Sequence, residues 1–272
     1  MNFLTKLHKS AEASQSIIGV SLDPCMEKIP IEGKPDVIIP KFFSGILDGF
    51  DSRPGMVSLP YSSYSSLGFP GFRALKRVIG LCRQHRYLVV LDAKYSGAGY
   101  AKSAFDCWKA DAVTVMPYLG KDAVQPFLDY CSHGRGVYVV NRTFNPGSVD
   151  FQTAVSDDIP LYIRVCHKIV DWYTPGIGAL VCATHSDLEN IRGFFVHSKK
   201  AVPLLVPMLP MHVPSELIRA LTRDNLSIHR IVSSEVCYSY LREKTDDYVA
   251  AAAKEMKKLN RQFGYVEEIY PK

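Results

Sequence analysis

Apolar runs and amphipathic stretches alternate from one end of the chain to the other. Short β-rich runs occur at Ile17–Asp23, Met56–Leu59, Tyr87–Lys94, Ala112–Met116, Gly136–Arg142, Ile177–Ala183, Pro203–Met208 and Arg230–Glu235. Helical periodicity falls between and after them, over 40–50, 69–85, 99–109, 122–132, 160–172, 187–195, 214–223 and 246–263. In the last of these, Val249, Ala253, Met256, Leu259 and Phe263 share one face, and Lys and Arg take the other. Strand–helix alternation predicts a parallel sheet, and eight repeats predict closure into a (β/α)8 or TIM barrel. An open doubly wound sheet is the alternative, but no G-x-G-x-x-G follows the first strand. No linker or low-complexity stretch divides the chain. Residues 1–272 therefore form one expected barrel, with 1–16 as an N-terminal helix covering it.

Composition changes this picture little. At 272 residues, 47% hydrophobic and 22% charged, the chain has the balance of a soluble α/β protein with a full core. A net charge of +5 without long charge blocks gives no reason to expect nucleic-acid or membrane binding. No apolar run approaches the ~20 residues that span a bilayer. Seven scattered cysteines, without a C-x-x-C pair, suggest reduced thiols rather than disulfides or a metal site. A reducing, cytoplasmic location is the expectation.

The candidate chemistry begins at Asp92-Ala-Lys94, where an apolar strand ends in two charges. Residues two apart on a strand point the same way, so the two side chains should meet. The C-terminal end of a parallel barrel strand is where such folds keep their chemistry. The local pattern fits a salt bridge at the strand mouth equally well.

Other strand ends then add to it: Ile18-Gly-Val-Ser-Leu-Asp-Pro24, Asp111-Ala-Val-Thr-Val-Met-Pro-Tyr-Leu-Gly120, Asn141-Arg-Thr-Phe-Asn-Pro-Gly147, Ala179-Leu-Val-Cys-Ala-Thr184, Leu204-Leu-Val-Pro207 and Ile231-Val-Ser-Ser234. In order and spacing, and over nearly the whole chain, these resemble orotidine 5'-monophosphate decarboxylases, the longer bacterial type most of all. The resemblance implies a TIM barrel, usually a homodimer with active sites near the interface. It also implies a carboxy-lyase of pyrimidine biosynthesis that removes CO2 from the orotate ring without a cofactor or metal. In that family a Lys–Asp–Lys–Asp network does the chemistry, and a Gly-rich loop and an Arg hold the phosphate.

Carried over residue by residue, Asp92 and Lys94 match the family's D-x-K, and Asp23 matches its ribose-contacting Asp. Thr143, Phe144, Gln152 and His212 fall at substrate-binding positions. Several departures stand out. Gly97 takes the place of the second Asp, which the partner subunit contributes in the family, and Ala101 takes the place of a Thr. The first Lys of the network should fall near Ser58, yet no Lys occurs between Arg53 and Lys76. The phosphate loop becomes Pro207-Met-Leu-Pro-Met-His-Val-Pro214, in which Met208 is bulky and Pro210 has no N–H to offer an anion. Glu235 replaces the phosphate-binding Arg, turning attraction into repulsion. Phe144 and Cys182, in place of small residues, are expected to fill space at the barrel mouth.

These departures together predict a barrel that has lost decarboxylation. Such a protein would act structurally or as a regulatory partner, as a homodimer or a heteromer with an active paralogue. Two alternatives remain. One is a repurposed lyase or proton-transfer enzyme using Asp92 and Lys94 on an unphosphorylated substrate. The other is a working orotidine 5'-monophosphate decarboxylase with substitute residues.

Overall fold

The structure, a computed structural model, describes residues 1–207 and 228–263. Eight parallel strands close into a barrel: β1 Ile18–Ser21, β2 Met56–Pro60, β3 Val89–Tyr95, β4 Ala112–Val115, β5 Gly136–Arg142, β6 Ile177–Val181, β7 Leu204–Pro207 and β8 Ile228–Val232. Around the barrel the order is β1-β8-β7-β6-β5-β4-β3-β2. The main helices are α1 Phe3–Ser14, α2 Pro35–Asp48, α3 Gly68–Gln84, α4 Lys121–Leu128, α5 Leu161–Asp171, α6 His185–Ser198 and α7 Tyr248–Phe263. The expected fold class is therefore the observed one, and each expected strand lies within two residues of an observed one at its start.

The barrel interior is layered. Met56, Val90, Ala112, Tyr138, Leu180, Leu205 and Ile231, one from each of seven strands, form a common cluster with Phe3 and Leu7 of α1. The eighth strand, β1, brings Gly19, where a Cβ would run into Ile231 and Met56. Phe3 meets the Tyr138 ring edge-on, with centroids 5.9 Å apart, a favoured aromatic geometry. The start of α1 is set by Asn2, whose side chain accepts from the Thr5 backbone N–H at 2.8 Å, a normal N-cap. Residues of the opposite parity, such as Val57, Val89, Val113 and Val139, pack outward against the helices.

Three differences from the sequence reading bear on the site. Glu235 does not end a strand: β8 stops at Val232, and Glu235 sits in the short helix Ser234–Cys237. The expected helix over 99–109 divides into a short α segment, Ala98–Lys102, and a wider turn, Ser103–Cys107. A two-stranded hairpin, Val155–Ser156 with Ile159–Pro160, lies on the β5–α5 connection, where alternation gave no warning of it. Met208, Pro210, His212 and the expected helix over 214–223 lie outside the described residues. No helix among the described residues is long and apolar enough to cross a membrane.

Candidate active site at the C-terminal mouth of the barrel

At the end of β3 the strand does not run straight. Leu91 pairs with Val113 and Tyr95 with Val115, so Asp92, Ala93 and Lys94 together stand opposite Thr114. Lys94 takes a left-handed backbone, with φ of 52°, unusual for a residue with a side chain. The expected meeting of Asp92 and Lys94 does occur, but a bulge brings them together rather than plain strand alternation. The Lys94 ammonium donates to both Asp92 carboxylate oxygens, at 2.7 and 2.8 Å. Thr114 Oγ1 donates to Asp92 Oδ1 at 2.8 Å and accepts the backbone N–H groups of Ala93 and Lys94 at 3.0 and 2.9 Å. Lys94 is 43% exposed, so this ammonium faces the open mouth.

Thr114 went unnoticed in the sequence. Its only signal is a hydroxyl within the apolar run Ala112–Val115, on the strand that follows D-x-K. A cluster of Tyr61, Tyr95 and Tyr100 stands beside the pair, with Tyr95 and Tyr100 stacked at 4.3 Å. Burial, reinforced by its hydrogen bond with Tyr61, pushes the Tyr95 hydroxyl well above its usual range. Tyr64 is not part of this cluster's open side: it is fully buried and donates to the Leu22 carbonyl at 2.8 Å.

Asp23 lies just beyond β1. Its backbone carbonyl accepts the Tyr238 hydroxyl at 2.7 Å, and that hydroxyl accepts the Cys25 N–H at 2.9 Å, so one tyrosine clamps the whole turn. Ser58 is buried on β2, and its carbonyl accepts the Leu22 N–H at 2.9 Å. Gly97 opens the helix Ala98–Lys102 with φ of 93° and ψ of 156°.

On β5, Arg142 is buried and organises the loop that follows. Its Nη1 donates to the Thr143 carbonyl, to Ser148 Oγ and to Gln152 Oε1 at 3.0, 2.8 and 3.1 Å, while Nε lies 3.3 Å from Asp187. Gln152 also accepts the Thr143 N–H at 2.8 Å and donates to the Thr143 hydroxyl at 2.7 Å. The two candidate binding residues thus hold each other. Phe144 departs from expectation: it is 54% exposed and does not plug the mouth. Cys182 is buried, as expected, and burial raises its thiol above the usual range.

The Glu235 carboxylate is turned back on its own chain. It accepts the Ser233 N–H at 3.1 Å and lies 3.7 Å from the Arg230 guanidinium. Among the described residues, no three His, Cys, Asp or Glu side chains gather as a metal site. What this arrangement offers chemically is a charged amine, held by a carboxylate, at an accessible barrel mouth. It can donate a proton to a developing carbanion.

Comparison with known proteins agrees with this geometry. Residues 59–194 match the model of the orotidine 5'-phosphate decarboxylase / HUMPS family. The orotidine 5'-phosphate decarboxylase of Bordetella pertussis is 39% identical over 224 residues, covering 76% of this chain and 78% of that protein. This chain belongs to the orotidine 5'-phosphate decarboxylase family. The Roseiflexus castenholzii protein of the same name is 36% identical over 202 residues, covering 71% of this chain and 73% of its own. The structure of Leishmania donovani OMP decarboxylase superposes with a TM-score of 0.78 at 25% identity, covering 97% of this chain and 99% of that one.

These relatives overturn the expectation that the barrel has lost its chemistry. That expectation rested on the departures at Gly97, near Ser58, in the phosphate loop and at Glu235 taken together. The structure qualifies two of the departures. Glu235 has a nearby cation in Arg230, and Phe144 is 54% exposed rather than packed into the barrel.

Proposed function

We propose that this protein is an orotidine 5'-monophosphate decarboxylase of pyrimidine biosynthesis. The observation that carries the reading is the Lys94 ammonium, doubly bonded to Asp92 on the β3 bulge and facing the barrel mouth. In the proposed reaction the bond from C6 to the carboxylate breaks, CO2 leaves, and the electron pair stays on C6. Lys94 then gives its proton to C6, forming uridine 5'-monophosphate, and solvent reprotonates the amine. The Asp92 carboxylate keeps the ammonium aimed and adds negative charge near the departing carboxylate. With Gly97 at the family's second Asp position, Asp92 is the carboxylate that this chain itself supplies to the reacting centre.

The test is direct. Purified protein is mixed with orotidine 5'-monophosphate, and loss of orotate absorbance is followed together with chromatographic appearance of uridine 5'-monophosphate. Turnover is expected, and Lys94→Ala should lower kcat by roughly 10²–10⁴-fold, the usual worth of a positioned proton donor. Absence of turnover by the wild-type protein at millimolar substrate would reject the reading.

We also propose a homodimer. Tyr118, Leu119 and Phe151 are exposed apolar residues on the connections after β4 and β5, with the Tyr118 and Phe151 rings 6.3 Å apart, and exposed apolar groups that gather in this way mark an interaction surface. Sedimentation analysis at micromolar concentration tests it, and a monomer would reject it.

A further inference from the structure

We infer that Thr114 is a positioning residue for the Asp92–Lys94 pair, a role that rests on the decarboxylase reading above. A hydroxyl has a fixed hydrogen-bonding capacity. It carries one proton and two lone pairs. Both lone pairs of Thr114 Oγ1 are taken by backbone N–H groups, those of Ala93 at 3.0 Å and Lys94 at 2.9 Å. The hydroxyl proton therefore has one direction left, toward Asp92 Oδ1 at 2.8 Å.

Two consequences follow. First, the bulge is locked. Ala93 and Lys94 give up ordinary ladder partners where the register shifts, and one side-chain oxygen replaces both. Their N–H groups would otherwise be left unpaired in a part-buried place, at a cost. The left-handed backbone of Lys94 is held by the same contact. Downstream, the Met116 N–H donates to the Tyr95 carbonyl at 2.8 Å and Ser96 Oγ donates to the Met116 carbonyl at 2.7 Å, closing the bulge on its far side.

Second, the proton inventory is polarised. Asp92 accepts two protons from the Lys94 ammonium and one from Thr114. With both lone pairs taken, Thr114 can only donate to Asp92 and cannot accept a proton from it. The network is satisfied when Asp92 is a carboxylate and Lys94 an ammonium, the form in which Lys94 is a proton donor. Thr114 is wholly buried and meets solvent nowhere, so it acts through Asp92 and Lys94 rather than on substrate.

The test compares Thr114→Val, which keeps the shape and removes the hydroxyl, with Thr114→Ser, which keeps the hydroxyl. Misplacing a reacting group by a fraction of an ångström costs rate more than binding, so T114V should lower kcat about 10–100-fold with KM within about 3-fold. T114S should stay within about 3-fold of wild type, because it restores all three hydrogen bonds. A second measurement needs no substrate: trace acetylation of Lys94 relative to the exposed Lys41, read by mass spectrometry. T114V should raise the relative labelling of Lys94 at least about 3-fold as the amine is released from Asp92, and T114S should not. If T114V fails to fold, Thr114→Cys, with its weak donor and acceptor, takes its place and should give the same sign of change. Wild-type kcat and wild-type labelling in T114V would overturn the inference. If the wild-type protein shows no turnover, the decarboxylase reading fails by itself, and the labelling still decides the role of Thr114.

Discussion

The guanidinium of Arg230 stands 3.7 Å from the carboxylate of Glu235. Arg230 lies on β8 with its side chain outside the barrel, 4.7 Å over the Phe263 ring of α7. Burial works against its charge and Glu235 works for it. Glu235 thus has a local partner, which tempers the repulsion that a phosphate in this corner would feel. The tempering is incomplete at this separation. Glu235→Gln keeps the contact with the Ser233 N–H and removes the charge. The KM for orotidine 5'-monophosphate should fall about 3–10-fold, as expected for removing one like charge at partly solvated range. Because Glu235 is over a third exposed, the unfolding free energy should change by less than about 1 kcal/mol. Steady-state kinetics and urea denaturation read the two effects separately.

Asp92→Asn separates chemistry from stability at the same mouth. Asn still accepts the Thr114 proton but leaves Lys94 without a counter-charge. If the pair exists for catalysis, kcat should fall at least about 10²-fold. Its contribution to folding is that of a partly exposed pair, under about 1 kcal/mol. Thermal melting near that of the wild type, beside a collapse in kcat, is the expected combination. A large loss of stability with kcat intact would mark the pair as a structural salt bridge.

The barrel was legible from the alternation of apolar and amphipathic runs, because closure needs only period and count. The meeting of Asp92 and Lys94 was legible too, although the reason was not. Two-residue alternation gave the right answer for what is a bulge with a left-handed Lys94. No local signal in Asp92-Ala-Lys94 announces a bulge, since it depends on how β3 and β4 fit their registers. Thr114 was invisible for a related reason: its hydroxyl matters through three contacts to another strand. The nearness of Arg230 to Glu235 was not legible, because the turn after β8 brings the two together. Phe144 was misread because a large apolar residue at a mouth is expected to bury itself, and here it does not.

Gly97 shows why restoring a family residue need not restore its function. Among the described residues nothing would touch a Cβ at this position, so space is not the obstacle there. The backbone is: φ of 93° with ψ of 156° belongs to a region populated almost solely by glycine. Gly97→Ala should therefore cost about 1–3 kcal/mol of stability, despite the open surroundings. Gly97→Asp should cost a similar amount and move the segment that leads into the helix Ala98–Lys102, so its kcat should not rise. Urea denaturation of both variants checks this. A neutral Gly97→Ala would show that the turn relaxes freely.

His229 predicts how the barrel responds to acid. It lies on β8 with the inward parity of Ile231 and is completely buried, with neither ring nitrogen hydrogen-bonded among the described residues. Burial, with a smaller contribution from His8, pushes its pKa down from 6.5 to about 3. The sign follows from proton counting. Below pH 6.5 the unfolded chain takes up a proton that the folded chain refuses, so stability falls with pH until the folded pKa is reached. The slope is at most about 1.4 kcal/mol per pH unit, which amounts to about 2 kcal/mol between pH 6.5 and pH 5. His8 is pushed in the same direction by its own burial and adds to the slope. His229→Leu removes the larger share: its unfolding free energy should vary distinctly less between pH 7 and pH 5 than that of the wild type. Urea denaturation across this range decides the matter. Parallel pH profiles for the two proteins would show that His229 is protonated inside the folded barrel.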